Sequence, residues 1–255
     1  MRHDPHIAVA IDQGVMSITL DRAAKKNAIT DAMYGAIADA LDHAATDPAI
    51  RAVLLRGAGA DFCAGNDISM FAASANGTED IATSNVGPFL RALSTFPKAL
   101  VAAVTGRAIG IGVTMLLHCD LVYVAEDAEL ATPFIDLGLV PEAASALLVP
   151  ARIGHVRAFA LFVLGERLSG RRAAELGIAN AALPADQVAD AALAAARAVA
   201  LKPASAIAAT KWLMRDAGAI EAALSADRDA FIRQLATPEA AAAFAAFAAR
   251  KAPPA

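Results

Sequence analysis

At 255 residues the chain can bury one large core, or a core plus a small appendage, and its 57% apolar content is inflated by alanine, with aromatics at only 5%. A net charge of −4 and a pI near 5.7, with no basic stripe, exclude an electrostatic footprint for nucleic acid. Cys63 and Cys119 have neither metal-ligand spacing nor the count of a disulfide framework, and the start Met1-Arg2-His3-Asp4-Pro5-His6 lacks an apolar h-region. The expectation is therefore a cytoplasmic protein without a metal site, and the 19% charged fraction suggests surface buried against other subunits.

In chain order, Ile7 to Ile11 and Val15 to Leu20 read as a hairpin around Asp12-Gln13-Gly14, with Met16, Ile18 and Leu20 on one face. A polar loop follows, holding Lys25, Lys26 and Asn27, and then Thr30 or Asp31 caps a helix whose stripe is Met33, Ile37, Leu41 and Ala44. Pro48 ends it. Ile50 to Leu55 reads as a strand, and Gly57 to Gly65 as a glycine-rich loop. Residues 72 to 85 are small and polar, which predicts a mobile segment beside the site. Phe89, Leu93 and Phe96 then share a helical face as far as Pro97.

Residues 97 to 145 form the stretch around which the chain is organised. Pro97 to Val104 is a buried strand by composition, and Gly106, Gly110 and Gly112 punctuate the approach to a helix through Val113 to Leu117. The first N–H groups of a helix lack partners and sit at the positive end of its dipole, so they can donate to an oxygen that is becoming negative. That pattern points to an oxyanion site. A membrane span over 99 to 117 would place Arg107 at its middle at a cost of roughly 2.5–3.5 kcal/mol. A dinucleotide loop would need a different glycine spacing. Leu121 to Ala125 and Leu130 to Thr132 are further strands, so strand-strand-helix units recur through residues 1 to 150 and predict an α/β coil of sheets. Beyond 150 the chain reads as helical, with Ser169 capping Gly170 to Leu176 and Thr237-Pro238-Glu239 starting a helix that carries Phe244 and Phe247. Residues 1–190 are expected to be the core and 191–255 a helical oligomerisation region, in which Trp212 serves core or interface.

Asn27-Ala28, Phe62 to Ile68, the run from Pro97 to Asp120 with A-x-V-x-G-x-A-x-G at Ala102 to Gly110, and Pro133 to Pro141 together resemble the crotonase, or enoyl-CoA hydratase/isomerase, superfamily. The resemblance implies a spiral of ββα units with a C-terminal helical region that builds trimers, often paired into hexamers. It also implies an acyl-CoA substrate, no separate cofactor, and two backbone N–H groups on the thioester oxygen. By motif position these fall on Ala64 and Ile111, with Gly65, Asn66 and Asp67 shaping the first loop around the substrate. Glycine is the family's commoner residue at the place of Ile111.

The family's hydratases hold water between two glutamates, and at those positions this chain has Thr114 and Phe134. Neither can serve as an acid or base near neutrality. Glu142, after Pro141, instead resembles the lone glutamate of the peroxisomal-type Δ3,Δ2-enoyl-CoA isomerases. The resemblance implies that it carries a proton from C2 to C4 of a 3-enoyl thioester, with Phe134, Leu139 and Val140 excluding water. The rival readings are an enoyl-CoA hydratase using Glu142 alone and a CoA-binding or scaffold protein without turnover. Asp136 is a second acidic candidate whose expected role is in the turn before Gly138. Lys25 and Lys26 are candidates for CoA phosphates.

Overall fold

The computed structural model describes residues 2–67 and 83–251. The predicted mobile segment at 72 to 85 therefore lies, up to residue 82, outside the described residues, as does Ile68. The hairpin forms as β1 (Ile7–Asp12) and β2 (Val15–Leu20), whose residues Met16, Ile18 and Leu20 are buried. Helix α1 (Asp31–Thr46) starts where Thr30 Oγ1 accepts the Met33 amide at 3.3 Å, which satisfies one of the orphan donors of its first turn. Its apolar stripe of Met33, Ile37, Leu41 and Ala44 is fully covered.

Next come β3 (Ala52–Gly57), α2 (Val86–Thr95), β4 (Ala99–Val104), β5 (Arg107–Ile109), the short helix α3 (Ile111–Thr114), β6 (Leu121–Ala125) and β7 (Glu129–Ala131). Strands β1-β2-β3-β4-β6 form the large sheet, parallel from β2 onward. β4 is buried at every residue, as a parallel strand covered on both faces must be. The chain then runs through α4 (Ser145–Ile153), α5 (His155–Val163), β8 (Leu168–Ser169), α6 (Gly170–Glu175) and β9 (Ala181–Leu183). β9 closes the edge of the large sheet beside β6, while β5, β7 and β8 make a second, small sheet. From β4 to β9 the chain passes back and forth between the two sheets, which is the predicted spiral. Residues 99–117, where Arg107 argued against a membrane span, form a strand, a turn, a second strand and a short helical stretch. No single helix among the described residues is long and apolar enough to cross a membrane.

Four helices complete the chain: α7 (Ala185–Ala200), α8 (Ala204–Met214), α9 (Ala217–Leu235) and α10 (Pro238–Lys251). The boundary expected at residue 190 falls inside α7. That helix packs against β3, β4 and β6 with Val188, Ala192 and Ala196 buried, so the core extends to Ala200. Helix α9 packs on α2 and α4, and α10 closes over the turn at 135–137, where a Cβ on Gly138 would lie 2.8 Å from Ala240. Phe244 packs against the core, whereas the side chain of Phe247 lies outside the described residues.

Candidate active site

Two loops meet at the mouth of the large sheet. Cys63 bridges Ala108, with its N–H on the Arg107 carbonyl and its carbonyl accepting from Ile109, both at 2.9 Å. Two residues further on, Gly65 adopts φ +96° and passes so close to the Ile109 carbonyl that an added Cβ would lie 3.1 Å from its oxygen. On the other strand Gly112 abuts the first loop, where a Cβ would meet the Cys63 carbonyl at 2.7 Å, and Gly110 turns into α3 at φ 55°, ψ −116°. The glycines thus bring the two backbones together.

The amides of these loops are unequal. The N–H of Ala64 donates to the Lys26 carbonyl at 2.9 Å, so the oxyanion donor expected at Ala64 is corrected: that hydrogen is already used. Asn66 stands in a parallel bridge with Ile29, in which Ile29 donates to Gly65 and Asp67 donates to Ile29. Strand pairing turns the intervening amide the opposite way. The N–H of Asn66 accordingly has no acceptor among the described residues, and neither has that of Ile111 at the start of α3. Asn66 and Ile111 each lie three residues past the bridge that joins their strands, so an unpaired amide stands at the matching place in each loop. The loop is fastened by Arg22, which donates to Asp67 at 2.5 Å and to the Ala28 carbonyl, and by Asn27, which donates to the Ala58 and Asp61 carbonyls. The Tyr34 hydroxyl donates to Asn66 Oδ1, and burial first, then the charge of Glu142, keeps that phenol protonated well above its usual range.

Glu142 lies on the loop that leads into α4. The hydroxyl of buried Thr114, one turn beyond Ile111, donates to its Oε1 at 2.5 Å. Thr114, no acid or base itself, therefore anchors the Glu142 carboxyl group. Loss of hydration pushes the Glu142 pKa up to about 7; the Thr114 bond opposes this and Asp227 adds to it. Phe134 and Leu139 are buried, and Phe134 packs at 6.3 Å against Phe162, so no carboxylate stands at position 134. Asp136 and Lys25 are exposed; Lys26 is exposed too, and its backbone carbonyl serves the first loop.

Two contributors were not foreseen. Asp227 on α9, 85 residues downstream of Glu142 (227 − 142), has a buried Oδ2 without a partner among the described residues. Its pKa is pushed up to about 6 by burial, partly offset by the Ala144 amide facing it. His118, fully buried, bonds the Ala143 carbonyl at 2.9 Å. Ala143 and Ala144 both lie in the left-handed region, at φ 59° and 57°. That conformation costs an L-residue about 1–2 kcal/mol.

Residues 10–254 match the enoyl-CoA hydratase/isomerase family. This chain belongs to it. Among its relatives, enoyl-CoA delta isomerase 2 of Rattus norvegicus is 38% identical over 70% of the chain; the chain spans 46% of that longer protein. The 2,3-dehydroadipyl-CoA hydratase of Escherichia coli is 30% identical over 97% of both chains. The structure of Pseudomonas aeruginosa OdaA is 42% identical with a TM-score of 0.90, covering 96% of this chain and 99% of that one. The fold is the crotonase spiral, and the family includes isomerases and hydratases alike.

Proposed function

We propose that the protein is a Δ3,Δ2-enoyl-CoA isomerase acting on an acyl-CoA thioester. The observation that carries this reading is a single carboxylate, Glu142, with a pKa near 7, held by Thr114 on the same helical stretch that offers the Ile111 amide. The thioester oxygen lies between the Asn66 and Ile111 amides. Glu142 takes the C2 proton, the electron pair moves into a dienolate whose oxygen the two amides stabilise, and Glu142 returns the proton at C4, leaving the double bond between C2 and C3. Donors already in place at the oxygen act on charge that exists only as the proton leaves; one such donor is worth about 2.7–4 kcal/mol. A proton affinity near neutrality suits a base that must also give its proton back. The CoA thioester is substrate, and the reaction as written needs no further cofactor. The working form is a homotrimer or hexamer.

One observation favours hydration instead. Asp227 could supply the second carboxyl group that Thr114 and Phe134 do not, and a relative at full coverage is a hydratase. Parallel assays with 3-hexenoyl-CoA and crotonyl-CoA separate the two. Isomerisation of the first should dominate, and Glu142→Ala should lower it by about 10²–10⁴-fold, the usual contribution of a general base. Preferential hydration of crotonyl-CoA would overturn the assignment, and binding of both thioesters without turnover would favour a scaffold.

A further inference from the structure

Glu142 is followed by two alanines in a conformation that alanine does not favour, so something outside the loop must hold them. Local bonds supply part of this: Ser145 donates to the Glu142 carbonyl at 3.1 Å, and Leu147 and Leu148 donate to that of Ala144. Asp227 faces the Ala144 amide, and His118 holds the Ala143 carbonyl. A carbonyl can only accept, so Nε2 of His118 carries the hydrogen that meets Ala143 at 2.9 Å. Nδ1 then presents a lone pair, and Nη2 of Arg215 faces it at 3.3 Å with a hydrogen to give, while Nη1 of Arg215 donates to the His118 carbonyl at 3.4 Å. The tautomer is fixed from both ends. A second proton on Nδ1 would confront the Arg215 guanidinium, with Arg152 and Lys211 nearby; burial, chiefly, lowers the imidazole pKa to about 4. The ring is thus a constant donor through neutral pH and carries no proton to or from the reaction.

His118 and Thr114 lie four residues apart on the helical stretch that begins at Ile111 and continues through Met115–His118. Thr114 holds the carboxyl group of Glu142, and His118 holds the peptide after it. We propose that His118, oriented by Arg215, is a positioning residue that fixes Glu142 relative to the Ile111 amide by clamping the Ala143 carbonyl. The inference rests on the isomerase reading for its kinetic consequence. The clamp itself is a property of the loop and can be read without turnover.

The test compares His118→Leu, His118→Gln and Arg215→Met with the wild type and Glu142→Gln. Glutamine can keep a side-chain N–H near the place of Nε2, whereas leucine fills the space without a donor. His118→Leu is expected to lower kcat on 3-hexenoyl-CoA by about 10- to 100-fold with KM within about twofold, the pattern of a displaced base in an intact binding site. His118→Gln should recover most of the loss, and Arg215→Met should lower kcat less. Amide exchange in the peptide covering 142–148 should accelerate in His118→Leu and Arg215→Met. A kcat unchanged in both, or a glutamine variant as impaired as the leucine one, overturns the clamp. Should His118→Leu fail to fold, Arg215→Met, at a partly exposed residue, decides by the same criteria. An inactive wild type would overturn the isomerase reading alone; the exchange data would still judge the clamp, and unchanged exchange would refute it.

Discussion

Thr114 and Asp227 pull the proton affinity of Glu142 in opposite directions. The threonine hydroxyl stabilises the carboxylate by donation at 2.5 Å, whereas the aspartate charge opposes its ionisation. At the pH near 7 where Glu142 titrates, Asp227, with a pKa near 6, is mostly ionised and its charge is felt. Activity that requires ionised Glu142 should rise with pH through about 7 in the wild type. Thr114→Val, close in shape, should move that acid limb to higher pH. Its kcat/KM at neutral pH should fall by up to about tenfold, consistent with part of the roughly 1.5–3 kcal/mol of a charge-assisted hydrogen bond. Asp227→Asn should move the limb to lower pH with KM little changed. Full pH profiles of kcat/KM on 3-hexenoyl-CoA check both; parallel shifts of the same sign would show that the three groups do not interact as described.

At the scale of elements, the two glycine loops set the distance between the proposed oxyanion donors, the Asn66 and Ile111 amides. Gly112, the neighbour of Ile111, packs tightly on the first loop, since a methyl group there would meet the Cys63 carbonyl at 2.7 Å. Gly112→Ala should push the loops apart, lowering kcat/KM by about 10- to 100-fold for a displacement of well under an ångström to one ångström. Gly87→Ala is the control: among the described residues, no atom beyond its own helix turn lies within 4 Å of the new methyl in α2, so the variant should gain up to about 0.5–1 kcal/mol of stability and keep its turnover. Thermal melts and steady-state kinetics on both variants decide. These loops also mark how far the sequence could be read. The caps at Thr30, Ser169 and Thr237 were legible because acceptor and donor lie three residues apart, as were the buried strand after Pro97 and the pairing of a glycine-rich turn with a helix start. Which amide of the first loop stays free was not, because the Ala64 hydrogen is taken by a carbonyl 38 residues upstream (64 − 26), and no local pattern encodes that pairing. Nor could spacing reveal His118 or Asp227. Both read as ordinary helix residues until the turn after Glu142 folds against them.

For the whole molecule, the C-terminal helices do two jobs. Through α9 and Arg215 they reach the site, and the end of α8 presents an unburied surface: Trp212, Leu213 and Met214 are each more than 70% exposed in a single chain. Exposed apolar surface of this kind is what the proposed trimer or hexamer would cover. Trp212 is thus not a core residue, and the interface role expected for it is open to direct measurement. Light scattering of the wild type should give about three or six times the chain mass of 26.0 kDa. Trp212→Glu, which sets a charge in the middle of that patch, should shift the distribution to monomer at micromolar concentration, since a buried tryptophan commonly contributes about 2 kcal/mol or more to an interface. Thr114, Glu142, His118 and Asp227 belong to one chain and meet within it, so the dissociated variant should retain turnover while melting at lower temperature. Loss of all activity with the fold intact would mean that a neighbouring subunit completes the substrate site, and an unchanged mass would place the interface elsewhere.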